Sequence, residues 1–222
     1  MNITHQVEQG TEAWRRLRLG IPTASQFGRI LTPQGKPSAQ AVTYRNQLVA
    51  ERLFGQPFGK DLSRIEHVVA GKANEPHAAA QFEALEGIKL QEVGFITTPN
   101  GRIGCSPDRL ILGNRREAVE IKCPTIPVHV GYLLDGPSTD YKAQVQGQIL
   151  IGGFEAVHFY SWNERCPAVH IVFRPDPPYL ELLNRALAEF CDLLDAAEAR
   201  CRSLGAFIVE ELPPPVVTLD KV

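Results

Sequence analysis

The stretch "GCSPDRLILGNRREAVEIKCP", from Gly104 to Pro124, decides how the middle of the chain folds. "IGCSPDRLIL" reads as extended chain, "GNRR" as a turn and "EAVEIKC" as a strand, so two strands run back to back across a short connection. Side chains at i and i+2 of a strand share a face, which puts Glu120 and Lys122 together and sends Val119 and Ile121 to the other side. Asp108 follows Ser106 and Pro107 on the partner strand. Paired strands lie about 4.8 Å apart, so the hairpin can bring Asp108 alongside Glu120.

Two carboxylates at that spacing repel unless one holds a proton or a cation lies between them. Magnesium prefers oxygen ligands and keeps several waters, so a carboxylate pair plus substrate phosphate oxygens suits it. Zinc is disfavoured, since the chain has neither H-E-x-x-H nor a cysteine cluster. A lysine beside such a site can orient or help deprotonate water, because a neighbouring cation and partial desolvation lower its pKa from about 10.4. This is apparatus for hydrolysing a phosphodiester. A plainer reading stays open, in which Glu120 and Lys122 form a surface ion pair contributing at most about 1 kcal/mol.

On the N-terminal side the pattern is helical. Thr11 can cap a short helix through Trp14 and Arg18, and Thr23 a second one containing Phe27, Ile30 and Leu31. "SAQAVTYRNQLVAERLF" from Ser38 has helical periodicity and ends at Gly55, and helical segments follow from Ser63 to Gly87, disturbed around Gly71 and Pro76. "IKLQEVGFITT" then alternates as one strand, which with the opening stretch makes a three-stranded meander. Beyond it, "STDYKAQVQGQILIGG" predicts a helix capped at Ser138 and ended by Gly152 and Gly153, followed by strands "AVHFYSW" and "AVHIVFR". Pro177 to about Leu204 is a long amphipathic helix with Leu182, Leu183, Leu187, Phe190 and Leu194 near one face, and "LPPPVVTLDKV" is extended. The fold class is α/β (α+β): a mixed, largely meander-derived sheet flanked by helices, in a single domain over residues 1–222.

Composition sets bounds on partners. With 222 residues, 44% of them hydrophobic and 22% charged, the chain can build one sizeable core. Lys plus Arg number 23 against 25 Asp plus Glu, so no global field points to nucleic acid or membrane, and a DNA-binding role needs locally focused basic residues. Five cysteines without a C-x-x-C pair fit free thiols in a reducing cytoplasm. No secretory leader and no run of about 18 apolar residues is present, which argues against export and membrane insertion.

Several motifs carry a resemblance. "SPD", eleven further residues and "EIK" resemble the PD-(D/E)xK nuclease signature. "VEQGTEAWRRLRLGIPTAS" from Val7 to Ser25, "GKANEPHA" around Glu75, "CSPDRL", "EIKCP" and "YKAQVQGQ" from Tyr141 resemble, in that order and spacing, lambda exonuclease and its alkaline-exonuclease relatives, the YqaJ-type viral recombinases. "GGFEA" is similar but lies in a different relative position. The likeness runs from Val7 to about Gln148.

That resemblance implies a restriction-endonuclease-like core and a processive 5′→3′ exonuclease on linear double-stranded DNA, releasing 5′ mononucleotides and leaving 3′ single-stranded tails. It implies two Mg2+ ions, with Mn2+ able to substitute, a homotrimeric ring on double-stranded DNA ends, and a single-strand-annealing protein as partner. It assigns Glu75, Asp108 and Glu120 as metal-binding carboxylates, the carbonyl of Ile121 as an extra ligand, Lys122 as the catalytic lysine and Gln144 as the glutamine of the helix motif. Arg18, Ser25 and Ser106 match its 5′-phosphate and DNA contacts. One position departs: Val128 stands where lambda exonuclease has a further phosphate-binding arginine, with His129 next to it as a possible substitute. Without the resemblance, Glu75 reads as a solvated helix residue, Gln144 and Gln146 as the wet face of a helix, Arg18 as an exposed helix arginine and Ser25 as a first-turn hydroxyl. In a ring, Arg15, Arg16, Arg18, Lys72, Arg102 or Lys142 could line a channel and hold phosphates without reading sequence. Two alternatives remain: an endonuclease of the same superfamily, and a non-catalytic DNA-end-binding recombination protein.

Overall fold

A computed structural model describes residues 2–59, 66–113 and 116–205. The helical reading of residues 63–65, the centre of the "GNRR" turn and the proline-rich tail lie outside them. In chain order the elements are β1 (Ile3–His5), α1 (Glu12–Arg18), a 3-10 helix (Ala24–Arg29), α2 (Ala41–Phe54), α3 (Glu66–Glu86), β2 (Leu90–Glu92), β3 (Phe95–Thr97), β4 (Gly104–Cys105) and β5 (Arg109–Ile111). There follow β6 (Glu117–Lys122), α4 (Ile126–Asp135), α5 (Tyr141–Gly152), β7 (Ala156–Ser161), β8 (Val169–Phe173) and α6 (Pro177–Ser203).

The main sheet is mixed, in the order β2-β5-β6-β7-β8, with β6 and β7 parallel and the other pairs antiparallel. Parallel neighbours need a crossover, and here α4 and α5 supply it. Alternation along β6 sorts its side chains between two layers. Val119 and Ile121 pack with Ile111 and Tyr160 against Ala78, Ala79 and Phe82 of α3. Ala118 turns the other way, into the larger core built with α2, α5, α6 and the 3-10 helix. Within α6, Leu183, Leu187 and Leu194 are fully buried, each stabilising by about 1.5–3 kcal/mol relative to exposure.

The expected meander is instead divided between two sheets. "IKLQEVGFITT" breaks into β2 and β3, and β3 joins β1 and β4 in a small sheet of order β1-β3-β4. The reason is Gly94, where an added Cβ would lie 2.2 Å from the Val7 carbonyl oxygen and 2.5 Å from that of His5. The N-terminal backbone passes too close there for any other residue, and the strand cannot run through. A second break, at Ser106 and Pro107, separates β4 from β5 and frees Asp108 from the regular ladder.

Other expectations need smaller changes. α3 is one helix with Pro76 inside it, not a disturbed pair. Thr11 caps α1 by accepting from the Trp14 N–H, whereas Thr23 precedes only a 3-10 helix and makes no side-chain cap bond. Asp140, not Ser138, stands at the N-cap of α5, while α2 and α5 end at Gly55 and Gly153 in the left-handed conformation. Helix α4 had no counterpart in the sequence reading; Pro127 in its first turn is a permitted position, because that N–H has no helical partner.

Candidate active site

Glu120 is the centre of the site. It is 2% exposed, in the middle of β6, with its side chain turned toward α5. Its Oε1 accepts from Lys122 Nζ at 2.5 Å and from Gln144 Nε2 at 2.6 Å, and its Oε2 accepts from Gln148 Nε2 at 2.6 Å. Gln144 and Gln148 are one helical turn apart on α5, so both reach the same carboxylate. The packing that aims them depends on Gly147, where a Cβ would meet the Phe27 ring at 2.4 Å and so hold α5 off the 3-10 helix.

Asp108 arrives from the other side. Its main chain donates to the Val119 carbonyl (3.1 Å), and its Oδ2 accepts from the Ile121 N–H (2.7 Å). The carboxylate thereby takes the place of a missing strand partner. Because the N–H and C=O of one strand residue point to the same edge, the Ile121 carbonyl faces the Asp108 side as well. Burial first, and Glu120 second, hold the Asp108 carboxyl well above the usual aspartate range, against the opposing pull of Lys122 and the Ile121 N–H.

Without metal, opposing influences act on the pKa of Lys122. Burial alone would lower it, but Glu120 and then Asp108 outweigh that, and the net shift is upward. With these neighbours its ammonium is held charged. Glu75, on α3, lines a cleft of about 420 Å³ together with Asp108, Arg109, Lys72 and Gln9. Burial raises its pKa, opposed by Lys72, Lys122 and Arg109. No three of the described His, Cys, Asp and Glu side chains converge closely enough to hold an ion by themselves, although Glu75 and Asp108 line one cleft. Helix α3 comes close to the end of β6 at Gly71, where a Cβ would lie 3.1 Å from the Cys123 carbonyl oxygen.

Arg18 and Ser106 form a second polar group. Arg18 Nη1 donates to Ser106 Oγ (3.2 Å) and Nη2 reaches Thr23 Oγ1 (3.5 Å), while the guanidinium stacks 4.1 Å from the Trp14 ring centroid. It is therefore no exposed helix arginine, and burial lowers its pKa to about 10, leaving it charged at neutral pH. Trp14 Nε1 also donates to Ser106 Oγ (3.0 Å) and to the Gly94 carbonyl (3.2 Å). Ser25 is exposed, its Oγ 3.5 Å from Thr23 Oγ1, and it joins this group only through that contact. A cavity of about 650 Å³ opens beside them, lined by Trp14, Arg18, Thr23, Arg29 and Tyr44.

Several sequence readings fail here. His129 is fully buried, its ring nitrogens engaged by Ser161 Oγ (2.8 Å) and the Pro167 carbonyl (2.9 Å), so it cannot stand in for a phosphate-binding arginine; Val128 is 46% exposed. Neither Gln144 nor Gln146 lies on a wet face. Gln146 is buried and clips the start of α6, donating to the Arg174 carbonyl (2.8 Å) and accepting from the Asp176 N–H (3.0 Å). Arg102 is paired with Asp192 and Asp195, and Lys142 with Asp176, which removes both from the free basic residues. Gln148 and Trp14 were not singled out; the i, i+4 spacing of Gln144 and Gln148 was the available signal for the first.

Comparisons with known proteins show the family and the fold. A YqaJ-like viral recombinase domain profile matches residues 13–155, a span that holds every side chain of the two polar groups. An alkaline exonuclease (LHK-Exo) from Laribacter hongkongensis is similar in structure, with a TM-score of 0.78 and 27% identity over 88% of this chain and 98% of that one. The same exonuclease in complex with dAMP matches at 28% identity and the same TM-score. A phage-related exonuclease from Haemophilus somnus shares the fold, with a TM-score of 0.63 and 14% identity over 81% of this chain and 96% of that one. No curated protein matches the chain. With well over half of its length inside the matched domain, the chain belongs to the YqaJ-like viral recombinase family.

Proposed function

We propose that the protein is an exonuclease that hydrolyses phosphodiester bonds of linear double-stranded DNA from 5′ ends, releasing mononucleotides and leaving 3′ tails. The observation that carries this reading is the carboxylate of Glu120, held at both oxygens by Lys122, Gln144 and Gln148 beside the buried Asp108. The similar exonuclease crystallised with dAMP supports it, since dAMP is a nucleotide of the kind such a reaction releases.

The donor set fits a hard divalent cation. Asp108, Glu120 and the Ile121 carbonyl offer only oxygen, and the burial and neighbouring Glu120 that hold the Asp108 carboxyl above its usual range are countered by positive charge. These groups would hold magnesium, with Glu75 as the further carboxylate in the cleft that Asp108 lines and manganese as a substitute. When bound, two such ions supply polarisation of the scissile phosphate and activation of water. Lys122 places an ammonium beside the reacting phosphate, and Gln144 keeps Glu120 Oε1 in position. Arg18 offers its guanidinium fork to a terminal phosphate. Ser106 accepts from both Trp14 and Arg18, which leaves its own proton to donate; Ser25 lies at the same rim.

A homotrimeric ring with a single-strand-annealing partner, in the cytoplasm, completes the proposal. It rests on the resemblance, and the free cysteines fit the compartment. Linear duplexes labelled at the 5′ or the 3′ end, incubated with and without magnesium and a 5′ phosphate, test the reading. Labelled mononucleotides from 5′ ends, only with metal, are expected; digestion from 3′ ends overturns the polarity, and full activity in chelator overturns the metal.

A further inference from the structure

We infer that Gln148 is a positioning residue of this site: its amide fixes the Glu120 carboxylate so that one oxygen serves Lys122 and Gln144 while the other is held ready for the cation. This rests on the nuclease reading above. Gln148 Nε2 lies 2.6 Å from Glu120 Oε2, and the side chain is 1% exposed. Its other end is idle, because Oε1 is buried and has no hydrogen-bond partner among the described residues. A side chain present only to fill space between α5 and the sheet would do so better as a methionine or leucine, with no polar atom to bury. Turning the amide over would set Oε1 against the Glu120 carboxylate and forfeit the bond. The amide therefore has one orientation, and the half of it that interacts is the half that touches Glu120.

Geometry gives the bond its use. A carboxylate on a flexible side chain can swing, and bonds at Oε1 alone leave rotation about that end open. Donors on both oxygens lock it. Groups that orient a metal ligand without touching the metal are worth about tenfold to a hundredfold in affinity when removed.

The test measures magnesium binding by calorimetry on the DNA-free protein, beside metal-free thermal melting and steady-state digestion of linear duplex. For Gln148→Met, magnesium affinity is expected to fall about tenfold to a hundredfold. Turnover falls with it and the KM for duplex ends holds, while the metal-free melting temperature changes by only a few degrees, because loss of the donor to the buried Glu120 Oε2 is partly offset by loss of a buried unpartnered carbonyl. Gln148→Asn keeps an amide in the same place but one methylene short of Glu120, so the same loss in both variants assigns it to the bond and not to packing. Unchanged magnesium affinity in a folded Gln148→Met protein overturns the inference, as does a lowered metal-free melting temperature with affinity intact. Glu120→Gln separates this failure from that of the function: if it binds magnesium like the native protein, the metal site itself is wrong, and if it loses binding while Gln148→Met keeps it, only the role of Gln148 falls.

Discussion

Asp108 holds its proton more tightly in the fold than in the unfolded chain, because burial and the neighbouring Glu120 both oppose its charge. A raised carboxyl pKa means that the metal-free fold loses stability as pH rises from the ordinary aspartate value of 3.8 through the raised one. Melting curves without metal should therefore decline across that window and recover on adding magnesium. Asp108→Asn keeps an acceptor for the Ile121 N–H but removes the charge. It should flatten the pH dependence and raise the neutral-pH melting temperature by about 2–4 °C for each kcal/mol relieved, while cleavage disappears. Lys122→Ala has the opposite effect on stability. It leaves Glu120 buried without its cation, at a cost of about 3–5 kcal/mol, and lowers turnover by at least about a hundredfold. Duplex-end binding should survive in that variant, measured by anisotropy below its melting temperature; retained turnover with magnesium would defeat the role given to Lys122.

Among the helices and strands, what could be read in advance follows from period. Glu120 and Lys122 share a face because strand side chains alternate, and that pattern is local to six residues, Glu117–Lys122. The division of the meander was illegible because its cause, the approach of the Val7 and His5 carbonyls to Gly94, joins segments far apart in sequence. Helix α4 is hard to read because "IPVHVGYLLD" is apolar almost throughout and has no polar face to mark a helical period. On α5, Gln144, Gln146 and Gln148 look equivalent as letters, yet the middle one points to the start of α6 and the outer two to Glu120. This separation can be measured. Gln146→Leu leaves the Arg174 carbonyl and the Asp176 N–H unpaired and should destabilise the fold by about 1–3 kcal/mol. Its magnesium affinity should match that of the native protein, which calorimetry on the same samples checks.

For the molecule as a whole, near-neutral net charge is reconciled with DNA by where the charges go. Arg102 and Arg52 tie α6 to the rest of the fold through Asp192, Asp195 and Glu198, so three acidic side chains are spent there against two basic ones. Arg18 stays beside Ser106 near the acidic pair. Affinity for DNA should then be modest and salt-dependent, with log K falling linearly against log salt. A nuclease that needs an end leaves covalently closed circles intact, so gel analysis of relaxed circular duplex beside its linearised form discriminates it from an endonuclease. Cutting of the circle excludes the exonuclease reading. With Val128 uncharged and His129 buried, the proposed exonuclease has only Arg18 and the serines to offer a 5′ phosphate. Digestion of phosphorylated and unphosphorylated ends should differ less than in a site with a second arginine, and Arg18→Ala should erase the remaining difference.

Gly71 shows how a group with no chemistry can still govern the cleft. In an ordinary helix interior, Gly→Ala gains about 0.5–1 kcal/mol. Here the added methyl would press on the Cys123 carbonyl just past Lys122, and the helix that carries Glu75 would act as a lever about that point. Gly71→Ala is a wedge: it firms the helix while prising the two acidic walls apart, so a loss of turnover without a loss of melting temperature would show that the separation between them, and not their identity alone, sets the rate.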